Sequence, residues 1–138
     1  MPDRPRKRID ELLDEARARL DRVDPQEARA ALQNGAVLVD IRSDNQRAAD
    51  GTIPGAIHHP RNVLEWRLDP ESEAPDPELS RDLDRQLILV CNEGYQSSLA
   101  AAVAQELGFA NATDLVGGFQ GWRAAGLPVE RSAPAPAA

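Results

Sequence analysis

In Gln86-Leu87-Ile88-Leu89-Val90-Cys91-Asn92-Glu93-Gly94-Tyr95-Gln96-Ser97-Ser98, an apolar run breaks into a short polar loop and then into a helical pattern that continues from Leu99 to Leu107 and stops at Gly108. An apolar run without alternation marks a strand buried on both faces of a parallel sheet. Ser97 or Ser98 stands where a helix N-cap is wanted, and Gly108 where a helix ends. Gly94 gives the loop backbone angles closed to other residues. In open α/β sheets, ligands bind beyond the carboxyl ends of strands, where a loop enters the next helix. Cys91 occupies such a place.

Outward from this unit, Ala36-Val37-Leu38-Val39-Asp40-Ile41 is a second buried strand, and Arg42 to Gly51 a polar loop or short helix. Ile53 to His58 turns into another short strand, Val63 to Leu68 predicts a helical turn, and Asp69 to Pro77 an acidic, proline-rich loop. Asp24-Pro25 starts a helix that stops at Asn34-Gly35, with an N-cap carboxylate and proline at the first helical position. Ile9, Leu12, Leu13, Ala16, Leu20 and Val23 form an amphipathic stripe. Downstream, Thr113 to Val116 is a strand, Gly117-Gly118 a turn, and Phe119 to Ala125 a last helix. The alternation predicts a three-layer α/β/α domain on a mostly parallel sheet of about five short strands. The expected organisation is a basic leader with an amphipathic helix over 1–22, the domain over 23–130, and a disordered low-complexity tail over 131–138.

Composition narrows the function. The chain has 138 residues, 41% apolar and 28% charged, a balance suited to one soluble globular domain. A net charge of −7 argues against a nucleic-acid binder. The exception is the basic run Arg4, Arg6, Lys7 and Arg8, read as a solvated leader rather than a docking tail. No apolar stretch resembles a membrane span or a secretory signal, which makes the cytoplasm the expected compartment.

Cys91 is the only cysteine, so the chain can form no internal disulfide and no thiolate metal cluster. The alternatives are an inert core thiol and a reactive one. The polar loop that follows favours reactivity, since inward-facing loop amides and the N-terminus of the next helix both stabilise negative charge on sulfur. His58 and His59 adjoin on a strand and point to opposite faces, so they do not suit one metal together. No metal and no organic cofactor is expected.

Four ordered segments resemble the rhodanese family. The loop Cys91-Asn92-Glu93-Gly94-Tyr95-Gln96, followed by Ser97, is similar to its active-site loop: a cysteine, five residues, then serine or threonine at the helix start. Asp40-Ile41-Arg42 resembles its D-x-R segment. Gly51-Thr52-Ile53-Pro54-Gly55-Ala56 resembles its G-H-I-P-G-A motif, with Thr52 where histidine is usual. Gly117-Gly118-Phe119-Gln120-Gly121-Trp122 resembles its G-G-x-x-x-W. The stretch R-N-x-L-E-W-R-L-D-P from Arg61, with the E-G-Y loop, is similar to small actinobacterial rhodanese-like proteins. The resemblance covers about residues 23–129 and implies a single-domain sulfurtransferase. Cys91 would carry sulfane sulfur as a persulfide, from a small donor such as thiosulfate or a persulfide to a thiol, cyanide or protein acceptor. Asp40 and Arg42 are expected to orient the loops through an internal ion pair.

The loop departs from thiosulfate-using rhodaneses in having Asn92 and Gln96 where arginine is common, and in having Glu93. A carboxylate about 6 Å from sulfur opposes its negative charge by about 1–3 kcal/mol. Positive charge for an anionic donor is therefore sought in Arg61 and Arg67, with Trp66 as a pocket wall; a surface helix with an Arg61–Glu65 pair is the alternative. A phosphatase of the related cell-cycle type needs a longer loop ending in arginine, whereas this one ends in Gln96, and arsenate reduction fails on similar grounds. A non-catalytic partner-binding module and a redox-sensing thiol remain as other classes, the latter without a resolving cysteine in the chain.

Overall fold

Successive side chains of the two apolar runs enter two different cores in the computed structural model, which describes residues 5–131. β1 (Val37–Asp40) and β3 (Leu87–Val90) pair in parallel, Val37 opposite Leu87 and Asp40 opposite Val90. Val39, Ile41, Leu87, Leu89 and Cys91 pack on one face, and Leu38, Ile88 and Val90 on the other. This is the two-residue period of a strand, and burial on both faces is why polar residues do not alternate in it. β2 (Ile57–His58) and β4 (Ala112–Asp114) complete an all-parallel sheet in the order β2-β1-β3-β4.

Among the described residues the sheet has four strands, not about five. The fifth position, beyond β4, is held by a single residue. Val23 bridges Leu115, its amide donating to the Asp114 carbonyl and its carbonyl accepting from the Val116 amide. Asp24 and Pro25 begin a helix at once, and proline has no N–H with which to extend a ladder, so pairing ends there. The strand expected from Ile53 shortens to two residues because Pro54 and Gly55 make a turn.

α2 (Pro25–Gln33), started by a reciprocal Asp24–Glu27 capping box, and α7 (Gly118–Ala124) cover the face that carries Leu38 and Ile88. α4 (Leu64–Leu68), α5 (Pro77–Ser80) and α6 (Gln96–Glu106) cover the other. α3 (Asp44–Asp50), capped by Ser43 and Gln46, leads from β1 toward β2. The layers are α/β/α, as the alternation of elements predicts. α1 (Ile9–Arg17) packs on α6 with Leu13 and Ala16 buried, and Leu20 enters the core beyond its end. Of the basic leader, Lys7 pairs with Glu15 and Arg8 with Glu11, both partners on α1 itself. Arg4, and the tail expected over 131–138 apart from Arg131, lie outside the described residues. Among the described residues no helix is long and apolar enough to cross a membrane.

Connections leave β1 toward β2 and β3 toward β4, in opposite directions across the sheet. The β1/β3 boundary is therefore the topological switch point, where a crevice opens beyond the strand ends.

Candidate active site

The sulfur of Cys91 sits at that boundary, the residue 7% exposed, inside a ring of loop amides. Sγ accepts the N–H of Gly94 at 3.1 Å and of Ser97 at 3.3 Å, and the thiol donates to Ser97 Oγ at 3.2 Å. The first two carbonyls of the loop find their partners on α7. Cys91 O accepts the Phe119 amide at 2.9 Å and Asn92 O the Gln120 amide at 3.1 Å, both from the first turn of α7. These two bonds fix the start of the loop on α7, and because a planar trans peptide sends its N–H opposite to its C=O, they turn the Asn92 and Glu93 amides away from that helix. Two glycines permit the close approach. Gly94 has φ 87° and lies against Gly117, where a Cβ would come 2.8 Å from nitrogen. Gly118, φ 59°, packs so tightly on the loop that a Cβ would fall 2.5 Å from Cys91 O.

Ser97 and Ser98 do not cap α6. The helix starts at Gln96 with Tyr95 in the N-cap position and no side-chain cap. Both hydroxyls lie inside the first turn and point to a buried carboxylate, Ser97 Oγ at 2.7 Å and Ser98 Oγ at 2.9 Å from Asp114 Oδ2. The same carboxylate takes Arg22, Nε to Oδ1 at 2.8 Å and Nη2 to Oδ2 at 3.2 Å. Asp114 is fully buried, and these donors satisfy it. The order Cys91 thiol, Ser97 hydroxyl, Asp114, Arg22 is thus a continuous hydrogen-bonded chain behind the sulfur. Arg22 and Arg17 both donate to the Gly94 carbonyl, at 2.9 and 2.8 Å.

In front of the sulfur lies an open crevice of about 840 Å³. Asn92, Glu93, Tyr95 and Gln96 line it from the loop, Ile41, Arg42 and Ser43 from the end of β1, and Pro60 to Asn62 from the segment after β2. Glu93, Tyr95 and Gln96 are exposed, while Asn92 is held by Gln120, whose amide reaches Asn92 Oδ1 and Asp50 Oδ2 at 3.0 Å. Among the described residues, no protein acceptor takes the backbone amides of Glu93, Tyr95 and Gln96. Arg42 and Asp40 form a buried pair at 2.9 Å; Arg42 also donates to Gly51 O and covers the Phe119 ring 3.8 Å away. It braces β1, α3 and α7 around the crevice.

Of the three residues proposed from the sequence for substrate, the crevice receives one. Arg61 lines it, with its guanidinium on Glu65 at 2.6 Å. Arg67 instead donates to Ala74 O, and Trp66, 56% exposed, faces a separate depression with Asp69 and Glu71. The helical phase of α4 explains this: Leu64 and Leu68 take the buried stripe, which leaves Trp66 and Arg67 on the outer side. The histidines part company, His58 Nε2 meeting Arg42 O and His59 Nε2 meeting Asp76. Arg17, Arg22, Ser98 and Asp114 were not legible as site residues. The one available signal was an aspartate inside an apolar strand, which demands a buried cation.

A sequence profile of the rhodanese-like domain matches residues 24–125. The thiosulfate sulfurtransferase GlpE of Haemophilus influenzae is 37% identical over 108 residues, 78% of this chain and 92% of its own. A Rhodopseudomonas palustris protein of unknown function, described as a possible tyrosine phosphatase, superposes with a TM-score of 0.84 at 34% identity, covering 94% of this chain and 99% of its own. The human single-domain sulfurtransferase gives a TM-score of 0.63 at 34% identity over 74% of this chain and 94% of its own.

Proposed function

The chain belongs to the rhodanese-like domain family, and from that premise we propose that Cys91 takes sulfane sulfur from a donor and passes it to an acceptor. It is a rhodanese-type sulfurtransferase, and the observation that carries this reading is the amide ring around a lone thiol at the foot of an open crevice. With thiosulfate as donor, the Cys91 thiolate attacks the sulfane sulfur; an S–S bond forms to Cys91 as the donor's own S–S bond breaks, and sulfite leaves with that electron pair. The terminal sulfur of the persulfide keeps the negative charge. The free amides of Glu93, Tyr95 and Gln96 are the donors available to it, a preorganised site of the kind that stabilises developing charge. A thiol, cyanide or protein acceptor then attacks the terminal sulfur and restores the Cys91 thiolate. Two half-reactions through a covalent enzyme form give ping-pong kinetics.

Arg61 is the candidate for holding the anionic part of the donor, since it is the cation on the crevice wall that does not brace the fold. Asp44 and Glu93 line the same space with the opposite sign, which suits a persulfide donor of lower charge better than a dianion. A reactive thiol used in this way belongs in a reducing compartment, in keeping with the cytoplasm. Phosphoryl transfer is the weaker reading, because the loop between Cys91 and Ser97 contains no arginine to grip a phosphate. Incubation with each donor followed by intact mass tests the proposal directly. One added sulfur on Cys91, removed by cyanide with release of thiocyanate, is the expected result; an unchanged mass with thiosulfate, mercaptopyruvate and glutathione persulfide would refute it.

A further inference from the structure

The family profile begins at residue 24, yet two cations that grip the active loop come from before it. Arg17, the last residue of α1, sends Nη2 to Gly94 O at 2.8 Å and Nε to Ser98 Oγ at 3.1 Å. Its guanidinium carbon also stands 5.7 Å from the centre of the Tyr95 ring. Arg22, on the segment that joins α1 to the Val23 bridge, reaches Gly94 O at 2.9 Å. One backbone carbonyl thus accepts from two guanidinium groups. The bonds are charge-assisted and the stronger for it.

The direction of this carbonyl has a consequence on the other side of its peptide. The Gly94–Tyr95 bond is trans, so the Tyr95 N–H points opposite to Gly94 O. The carbonyl is drawn back toward Arg17 and Arg22, so the Tyr95 amide is turned away from them, and among the described residues no protein acceptor takes it. With φ 87° at Gly94, this peptide has alternatives that a residue with a Cβ would lack, and something must select one of them. Withdrawal of electron density from the carbonyl by two cations also strengthens the N–H as a donor.

We propose that Arg17 and Arg22 are positioning residues for sulfur transfer, holding the Gly94–Tyr95 peptide so that the Tyr95 amide binds the terminal sulfur of the Cys91 persulfide. This rests on the sulfurtransferase reading above. It supplies from outside the family span the positive charge that the loop itself lacks, and it places that charge behind the loop, where it acts through a peptide rather than on the donor. Arg17 is the cleaner probe of the two, because Arg22 also neutralises buried Asp114.

The test uses the full-length chain labelled with nitrogen-15, free and after loading with one sulfur. In wild type the Tyr95 amide proton moves downfield on persulfide formation. In Arg17→Met the movement is diminished and kcat falls about 10- to 100-fold, the range for a displaced transition-state donor, with KM for the donor nearly unchanged. Arg17→Lys keeps the charge without the fork and recovers part of the loss. Matched melting curves for wild type and Arg17→Met separate positioning from stability. A wild-type chain that takes up no sulfur from any donor would bring down the sulfurtransferase reading itself. A wild-type chain that loads sulfur while the Tyr95 signal stays in place overturns the positioning role alone, as does an Arg17→Met variant with wild-type kcat.

Discussion

Cys91, Glu93 and Arg61 share one crevice but do different work, and single substitutions separate them. Cys91→Ser removes the only thiol while leaving an atom that still accepts from the Gly94 and Ser97 amides, so the far-UV circular dichroism stays native and transfer from every donor ceases. Residual thiocyanate production above the uncatalysed rate would contradict the persulfide mechanism. Glu93 is exposed at the mouth, where its charge repels an approaching dianion. Glu93→Gln therefore lowers the KM for thiosulfate severalfold at low ionic strength, and the gap closes as salt shortens the screening length to about 8 Å. The same KM in both proteins at low salt would make the charge a bystander. Arg61→Ala raises that KM, whereas Arg67→Ala does not, since the Arg67 guanidinium is spent on Ala74 O away from the crevice.

Between elements, the contacts that matter most are those that hold other elements to the loop. β4 contributes Asp114, which ties the first turn of α6 through Ser97 and Ser98 to the start of the domain through Arg22. Asp114→Ala removes the carboxylate that Arg22 and both hydroxyls share, leaving Arg22 only the Gly94 carbonyl, and destabilises the fold by about 3–5 kcal/mol, the usual result of breaking a buried pair from one side. Urea titration reads the loss, and a change below about 1 kcal/mol would show that the network is redundant. A second joint lies on the far side of the sheet, where Asp76, the N-cap of α5, bonds His59 at 2.7 Å just beyond β2. Burial raises the Asp76 carboxyl, but the hydrogen bonds from His59 and the Glu78 amide and the charge of His59 outweigh it, and the net value is below the ordinary 3.8. A depressed folded value means that the carboxylate contributes its stability fully above the unfolded pKa and loses it as pH falls through the folded one. The stability gap between wild type and Asp76→Asn should close on acidification below about pH 4, followed by unfolding at each pH.

For the molecule as a whole, α1 is not an appendage. Leu13 and Ala16 are buried against α6, and Leu20 sits in the same core as Leu89 and Cys91. Leu13→Ala is expected to lower stability by about 2–5 kcal/mol, as for other buried leucines, and to do so in one transition. Coincident unfolding curves from circular dichroism and tryptophan fluorescence test this; an early, separate loss of helix would show α1 melting by itself. The same packing delivers Arg17 and Arg22 to Gly94, so the stability of α1 and the shape of the active loop rise and fall together.

The α/β alternation, both buried strands, the switch to a polar loop at Cys91 and the glycines that turn it were all legible in the chain, because each is written in neighbouring residues. A non-alternating apolar run this short, bounded by turn residues, reads as a strand covered twice, and Gly94 or Gly118 stands where backbone must approach backbone. The sheet has four strands rather than about five for a local reason as well, a proline that stops Val23 from extending its bridge. Only the tertiary structure decided what surrounds the loop. Arg17 and Gly94 are 77 residues apart, and Arg22 and Asp114 are 92 apart. No periodicity spans such distances. Ser97 and Ser98 read as caps because a cap is the nearest use for a hydroxyl at a helix start, and they bind Asp114 because the fold brings a buried carboxylate within reach. Arg61 and Arg67 are alike in sequence, but Arg61 lies in the 3-10 turn Arg61–Val63 that borders the crevice and Arg67 on the outer side of α4, where it bonds Ala74 O.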